Sequence, residues 1–388
     1  MPIINRVAEF QREIAEWRQD FHRNPELQYD VHRTAGRVAE LLRGFGVDEV
    51  VTGIGRTGVV GVIKGRNGGD GRVIGLRADM DALPITERTG KDYASTVNGK
   101  MHACGHDGHT AMLLGAAKYL SETRNFAGTA IVIFQPAEEG GGGGKAMIED
   151  GLMDRWSIQQ VYGMHNMPGL AVGKFATRVG PLLASTDEFT IDITGRGGHA
   201  AQPHGTIDPI IVGTAIVQQL QTIVSRSVDP IQSVVLSVTK FHAGDAHNII
   251  AQTAQVAGTA RTLEPAMRDL AERRIKEIVA GVAAAHGAQA VVDYDRNYPV
   301  TRNHAAETAF AVRVAGDVAG PNHVDANAPP VLGGEDFSYM LEARPGAFIF
   351  IGNGASAGLH NPAYDFNDEI IPLGSSYWAR LVETAMPA

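Results

Sequence analysis

Three short apolar runs, residues 72–76, 129–134 and 161–164, constrain this chain most, because each hands over acidic or histidine side chains at its carboxyl end. The first leads to Asp79 and Asp81, the second to Glu138 and Glu139, and the third to His165. Short β-branched and aromatic runs of this kind read as strands. Helical patterns lie around them. Val7, Phe10, Ile14, Trp17 and Phe21 fall at helical spacing over residues 7–21, with Pro25 beyond the pattern. A second helix is expected from Thr34, as its N-cap, to Arg43, with Gly44 and Gly46 past its end. A strand is expected over residues 58–63 and a helix over residues 111–120. The alternation predicts an α/β domain, and open α/β sheets keep their sites at the carboxyl ends of their strands.

The pattern is then interrupted. Residues 187–195 read as a strand, 208–225 as a helix, 233–241 and 250–261 as strands, 265–285 as a helix and 289–294 as a strand. That order, β-α-β-β-α-β, is the ferredoxin-like arrangement. The first pattern resumes with helices over 305–319 and near 335–342, a strand over 347–351 and a helix over 375–385. The expected organisation is therefore one α/β domain of residues 1–183 and 297–388, with residues 184–296 inserted into it. A length of 388 residues favours two cores over one.

Composition excludes several classes. With 44% hydrophobic and 20% charged residues the chain reads as soluble and globular. A single cysteine excludes an internal disulfide framework and favours a reducing compartment. The first twenty residues are amphipathic and lack the apolar stretch of a signal peptide, and no run is long enough to span a membrane. The expected location is cytoplasmic. A formal charge of −9 argues against nucleic acid as a partner.

The chemistry gathers around Met101-His102-Ala103-Cys104-Gly105-His106-Asp107-Gly108-His109. Cys104 and His106 are two residues apart, so an extended or looped backbone lets both turn to one side. Thiolate and imidazole suit a zinc-like cation. Alone, the segment leaves metal binding and a small buried hydrophobic thiol evenly balanced. Glu138 and Glu139 are adjacent, and neighbours on an extended segment face opposite ways. One can ligate while the other handles a proton, the division that metal-assisted hydrolysis needs; a solvated acidic loop is the commoner meaning of an isolated pair. The glycines at 140–144 allow close backbone approach, a mobile rim or a slack connector. His165 and His360 are individually weak signals, but together these residues from separated strand ends and loops favour a metal centre.

The motifs Arg77-Ala-Asp79-Met-Asp81-Ala-Leu-Pro84, the Cys104 segment, Gln135-Pro-Ala-Glu138-Glu139, Gly163-Met-His165 and Leu359-His360-Asn361-Pro362 resemble the M20 family of metallopeptidases. Cys-Gly-His-Asp narrows the likeness to its amidohydrolase branch, which includes hippurate hydrolases and auxin–amino acid conjugate hydrolases. The resemblance implies a zinc-exopeptidase-like catalytic domain with an inserted ferredoxin-like lid and dimerisation domain. It implies two divalent cations per subunit, zinc or manganese, with cobalt or nickel also suitable. Cys104, His106, Glu139, His165 and His360 match the ligands, Glu138 the general base, and Asp81 a carboxylate that orients a ligand histidine. The chain departs from other branches where their His-x-Asp reads Asp79-Met80-Asp81, so Asp79 is not carried over as a ligand. In the insertion, His199 of Gly195-Arg-Gly-Gly-His199 matches an oxyanion-stabilising histidine that reaches a neighbouring subunit. Asn248 and Arg261 match positions that contact substrate. The implied activity is hydrolysis of N-acyl amino acids, small-molecule substrates, by a homodimer or higher homo-oligomer. A dipeptidase or carboxypeptidase-like exopeptidase, and a non-catalytic binding protein on the same fold, are the alternatives.

Overall fold

A computed structural model describes residues 3–66 and 71–388. The chain divides into two compact units, residues 1–182, 302–329 and 336–388 in the first, and residues 183–301 and 330–335 in the second.

The first unit is built on a mixed sheet. Its strands β1 (Glu49–Ile54), β2 (Gly58–Lys64), β3 (Val73–Asp79), β4 (Thr129–Gln135), β5 (Gln160–Pro168) and β6 (Phe175–Ala176) are joined by Val324–Asp325 and Gly346–Gly354. The order is β1-β2-β4-β3-β5, then Gly346–Gly354, β6 and Val324–Asp325. The central ladders β4/β3, β3/β5 and β5 with Gly346–Gly354 are parallel, whereas β1 and β2 add antiparallel to one side. β4 reads Thr-Ala-Ile-Val-Ile-Phe-Gln and is buried from Ala130 onward, the near-continuous apolar run that a strand covered on both faces requires. Parallel β3 and β4 end level, with Asp79 opposite Gln135, so the loops leaving the two strands emerge at one edge of the sheet.

The helices are α1 (Asn5–Glu9), α2 (Gln11–Arg23), α3 (His32–Gly44), α4 (His106–Thr123) and α5 (Gly143–Glu149), followed by others that include Ala305–Ala319, Phe337–Ala343 and Ile371–Ala385. α4 is buried along almost its whole length and packs on α2 and Ile371–Ala385. The continuous helix expected over residues 7–21 is two helices meeting at Phe10, whose αR backbone (φ −83°, ψ −7°) carries the apolar phase across the junction. Thr34 is not an N-cap. The helix begins at His32, and the Glu26 carboxylate accepts from the amides of Arg33 (3.0 Å) and Thr34 (2.8 Å). α4 begins five residues earlier than expected, so His106 and His109 stand on its first turn.

The second unit is an antiparallel sheet ordered Val234–Ala243, Thr253–Thr262, Ser185–Thr194, Gln289–Arg296, with helices Pro209–Thr222 and Pro265–His286. Burial alternates along Ser185–Thr194, placing Phe189, Ile191 and Ile193 in a core with Val212, Ile216, Val256, Ile275 and Val279. Asp208 caps its helix by accepting from the Ile210 amide at 2.9 Å, with Pro209 at the first helical position. The helix expected to reach residue 225 closes at Thr222 into a π turn, Ile223–Ser227. Asp187, fully buried, accepts from Arg268 Nε (2.9 Å) and Tyr294 Oη (2.7 Å). No helix among the described residues is long and apolar enough to cross a membrane.

A buried ionic cluster ties α2 to the first turn of α4. His22 Nδ1 lies 2.8 Å from Asp107 Oδ2 and its Nε2 lies 3.3 Å from Glu87, while Arg18 donates to both oxygens of Asp368 at 2.8 and 2.9 Å. Burial disfavours the charged His22 ring, but Asp107 and Glu87 outweigh it and raise its pKa from 6.5 to about 9. Stability from this proton is complete below pH 6.5 and is lost as pH rises through 9. The melting-temperature advantage of the natural protein over His22→Gln should shrink across that window, corresponding to a loss on the order of 3 kcal/mol. An advantage that stays flat from pH 6 to 10 would contradict a charged buried imidazole.

Candidate metal centre

The site is assembled from the segments after β3 and β4 and from the loop leading into α4, with His165 on β5 and His360 in a later turn. Its donors fall into overlapping groups. Cys104, His106 and His165 form one, Cys104, Glu139 and His360 another, and His106, Glu138 and Glu139 a third, each with its ligand atoms within 4.8 Å of one another. Two ligands about 2.3 Å from one ion can be no more than roughly 4.6 Å apart, so this spread suits coordination after small adjustments. Cys104, His106 and Glu139 each belong to two of these groups, so the groups share donors and form one cluster.

Local backbone explains why the donors converge. Gly105 precedes α4 with φ +90°, and a side chain there would come within 2.3 Å of Asn166 Nδ2 and 2.5 Å of Tyr364 Oη. His106 then opens the helix. After β4 the chain turns through Ala137, a non-glycine residue in the left-handed region at φ +55°, and His360 is another at φ +61°. Each such residue costs of order 1–3 kcal/mol, and such strain concentrates where geometry serves function. Within the glycine run, close backbone approach governs Gly143, whereas a Cβ on Gly140 would meet nothing within 4 Å. Gly143 opens α5 so close to Pro136 that a Cβ would lie 1.7 Å from its carbonyl oxygen.

Asp81 lies directly behind the carboxylate pair. Its two oxygens accept from the amides of Glu138 (2.9 Å) and Glu139 (3.0 Å), and Oδ1 is 3.6 Å from His106 Nδ1. Asp79 is engaged on both oxygens, by His109 Nδ1 at 2.7 Å and Arg77 Nη1 at 2.7 Å. Arg77 also donates to Gln135 Oε1 (2.8 Å) and Asp336 Oδ1 (2.9 Å), and Asp336 receives the Gly144 amide at 2.8 Å. Sequence patterns missed this buried network. Arg77 at the end of an apolar strand was the available signal, because a strand buries a guanidinium only with partners.

Electrostatics at the site favour cations. Burial alone would keep Asp79 neutral, but His106, Arg77 and His109 hold its carboxyl well below the ordinary range. Burial lowers the His165 pKa well below its usual value, aided by His109, so its ring is neutral. His165 Nδ1 donates to the Asn166 carbonyl at 2.6 Å, leaving the Nε2 lone pair facing Cys104 Sγ at 3.3 Å. Burial, then Glu139 and Glu138, push the Cys104 thiol well up, so metal binding would release its proton. Both ring nitrogens of His106 and Oε1 of Glu139 are buried without a hydrogen-bond partner among the described residues. Buried polar atoms seldom remain so, and these lie among sulfur, nitrogen and carboxylate donors that fit divalent ions.

The other expected site residues lie in the second unit. His199 and Asn248 come together at a short ribbon, Gly198–His199 paired with Ile249–Ile250, where the Ala200 amide donates to Asn248 O at 3.0 Å. His199 is exposed, and its Nδ1 accepts from the Ala201 amide at 3.1 Å, which leaves Nε2–H as a donor. Gln252 clips the loop through Gly195 O and the Gly197 amide. Arg261 is not on that ribbon but on Thr253–Thr262, opposite Thr186 and Val235, with Nη1 lacking a hydrogen-bond partner among the described residues.

A doubly covered α/β sheet with a sulfur, imidazole and carboxylate cluster at its strand ends defines a protein that uses divalent metal. Residues 75–384 match the family model described as Peptidase family M20/M25/M40. The chain belongs to that family. It is 43% identical to the hippurate hydrolase of Campylobacter jejuni, over 98% of either chain, and 38% identical to thermostable carboxypeptidase 2 of Saccharolobus solfataricus, over 97% of either. Among solved structures it superposes on a Bacillus subtilis dinuclear metal-binding peptidase of the M20 family with a TM-score of 0.85 and 34% identity, covering 98% of this chain and 99% of the other.

Cobalt(II) reports the thiolate directly. Cobalt-loaded protein should show a sulfur-to-cobalt charge-transfer band that Cys104→Ser abolishes; a band that survives the substitution would remove the lone cysteine from the centre.

Proposed function

We propose that this protein hydrolyses the amide bond of N-acyl amino acids at a centre of two divalent cations, zinc or manganese, with cobalt and nickel also suited. Cys104, His106, Glu139, His165 and His360 would hold them. The observation that carries the reading is the convergence of these donors from separate segments around buried imidazole nitrogens that have no partner among the described residues. When bound, such a pair polarises an amide carbonyl and acidifies water.

The chain's own residues do the rest. Glu138 takes the proton from the attacking water and delivers it to the leaving amine nitrogen, as the new C–O bond forms and the C–N bond breaks. The products are a carboxylate and a free amino acid. Asp81 holds Glu138 to this task through its backbone amide, and the Glu139 amide beside it. We assign His199 to the developing oxyanion, where its Nε2–H would act as a preorganised donor, supplied within a homodimer. Asn248 and Arg261 are assigned to substrate, with Arg261 taking the amino-acid carboxylate through its forked donors. Hippurate is itself an N-acyl amino acid, so the 43% identical hippurate hydrolase supports this substrate class.

A carboxypeptidase-like reading also has support, from the 38% identical thermostable carboxypeptidase. A panel of acetyl-, benzoyl- and succinyl-amino acids beside dipeptides separates the two. Turnover of acyl and aroyl amino acids is expected; cleavage of dipeptides alone would favour the exopeptidase, and no turnover by metal-loaded protein would favour a binding protein. Glu138→Gln should lower kcat by roughly 10²–10⁴-fold with metal content unchanged. Loss of metal in that variant would make Glu138 a ligand. Mixing His199→Ala with Glu138→Gln subunits should restore part of the activity, and no recovery after verified exchange would contradict the shared-site assignment.

A further inference from the structure

Two residues of the Cys-Gly-His-Asp-Gly-His segment have no place in this reaction, and one of them, His109, leads to a device behind the donors. His109 lies on the first turn of α4, fully enclosed, within 4.8 Å of His106 and Asp79 ligand atoms. By proximity alone it could be a ligand. Its hydrogen bonds say otherwise. Nδ1 donates to Asp79 Oδ1 at 2.7 Å, and Nε2 accepts from the Asn166 amide at 2.9 Å and faces Asn166 Nδ2 at 3.0 Å. Both nitrogens are therefore committed, and a cation on Nε2 would have to displace a buried backbone N–H.

Asn166 is the hub of this arrangement. Its side-chain Nδ2 donates to the Cys104 carbonyl at 2.7 Å, its own carbonyl accepts from His165 Nδ1 at 2.6 Å, and its Oδ1 accepts from Tyr364 Oη at 2.8 Å. One buried residue thus fixes the backbone under Cys104 and the ring orientation and tautomer of His165. The missing side chain of Gly105 admits Asn166, since a Cβ there would stand 2.3 Å from Nδ2. Asp79, anchored in turn by Arg77 at 2.7 Å, sets the orientation of His109.

We propose that Asp79, His109 and Asn166 form a positioning chain that presents Cys104 and His165 to the cations, and that His109 is not itself a ligand. The inference rests on the metal-centre reading of the proposed function, and goes beyond it in saying what orients the donors. Groups that orient metal ligands are typically worth 10–100-fold in metal affinity.

The test uses purified full-length protein loaded with cobalt(II), compared as natural protein, Asn166→Ala and His109→Gln. Both variants should release cobalt to a competing chelator roughly 10–100-fold more readily. At saturating cobalt both should still bind as many ions per chain as the natural protein and keep the thiolate band, with altered d–d bands. A His109→Gln protein that binds one ion fewer at saturation would make His109 a ligand and overturn the proposal. Affinity and spectra equal to the natural protein in both variants would reduce the chain to a packing feature and overturn it equally. If either variant does not fold, cadmium-113 coupling to nitrogen-15-labelled histidines of the natural protein decides: coupling is expected at His165 and absent at His109, and coupling at His109 overturns it. Absence of the thiolate band in the natural protein would instead refute the metal-centre reading itself.

Discussion

The structure depends on a concentration of buried negative charge at the carboxyl ends of β3 and β4. Asp79, Asp81 and Asp336 are all enclosed, and Arg77 is the guanidinium that the first and third share. Isolated, such carboxylates would carry a desolvation cost of several kcal/mol each. They are tolerated because every one is engaged: Asp79 by His109 and Arg77, Asp81 by two consecutive amides, Asp336 by Gln135, Gly144 and Arg77. Asp79 and Asp81 lie 3.8 and 3.6 Å from the ring nitrogens of His106, and with Glu139 they favour positive charge at that position. The hydrogen bonds that satisfy the carboxylates also fix the turn carrying Glu138 and the helix carrying His106. Charge and geometry have one source.

Much of the candidate site was legible because its residues sit where apolar patterns end. The carboxyl end of each run is visible in a single sequence, and Asp81, Glu138, Glu139 and Cys104 all occupy loops that the pattern isolates. His165 was legible for the same reason, although it proves to lie inside a longer β5, Gln160–Pro168. The network behind them was not legible, because its pairs are far apart along the chain. Arg77 and Asp336 are separated by 259 positions and Cys104 and Asn166 by 62, and no local pattern joins them. His109 was hidden differently. Its motif invites a reading as a ligand, and only the Asn166 amide on Nε2 removes it from that role.

The same distinction runs through the fold. Ala305–Ala319 is strongly periodic and begins and ends where its apolar pattern does. β1, with only three strongly apolar residues among six, gave no comparable signal and exists through its antiparallel pairing with β2. Thr34 has the right chemistry for a cap, yet Glu26 performs that task from outside the helix. Tertiary partners, when they exist, override local preference.

The central claim is that Cys104, His106, Glu139, His165 and His360 enclose a pair of cations. Anomalous X-ray diffraction from crystals of the metal-loaded protein, collected across the absorption edge of the bound metal, measures this most directly. Two peaks per chain are expected, each within coordination distance of atoms from that set. A single peak, no peak, or a peak coordinated by His109 would contradict the claim.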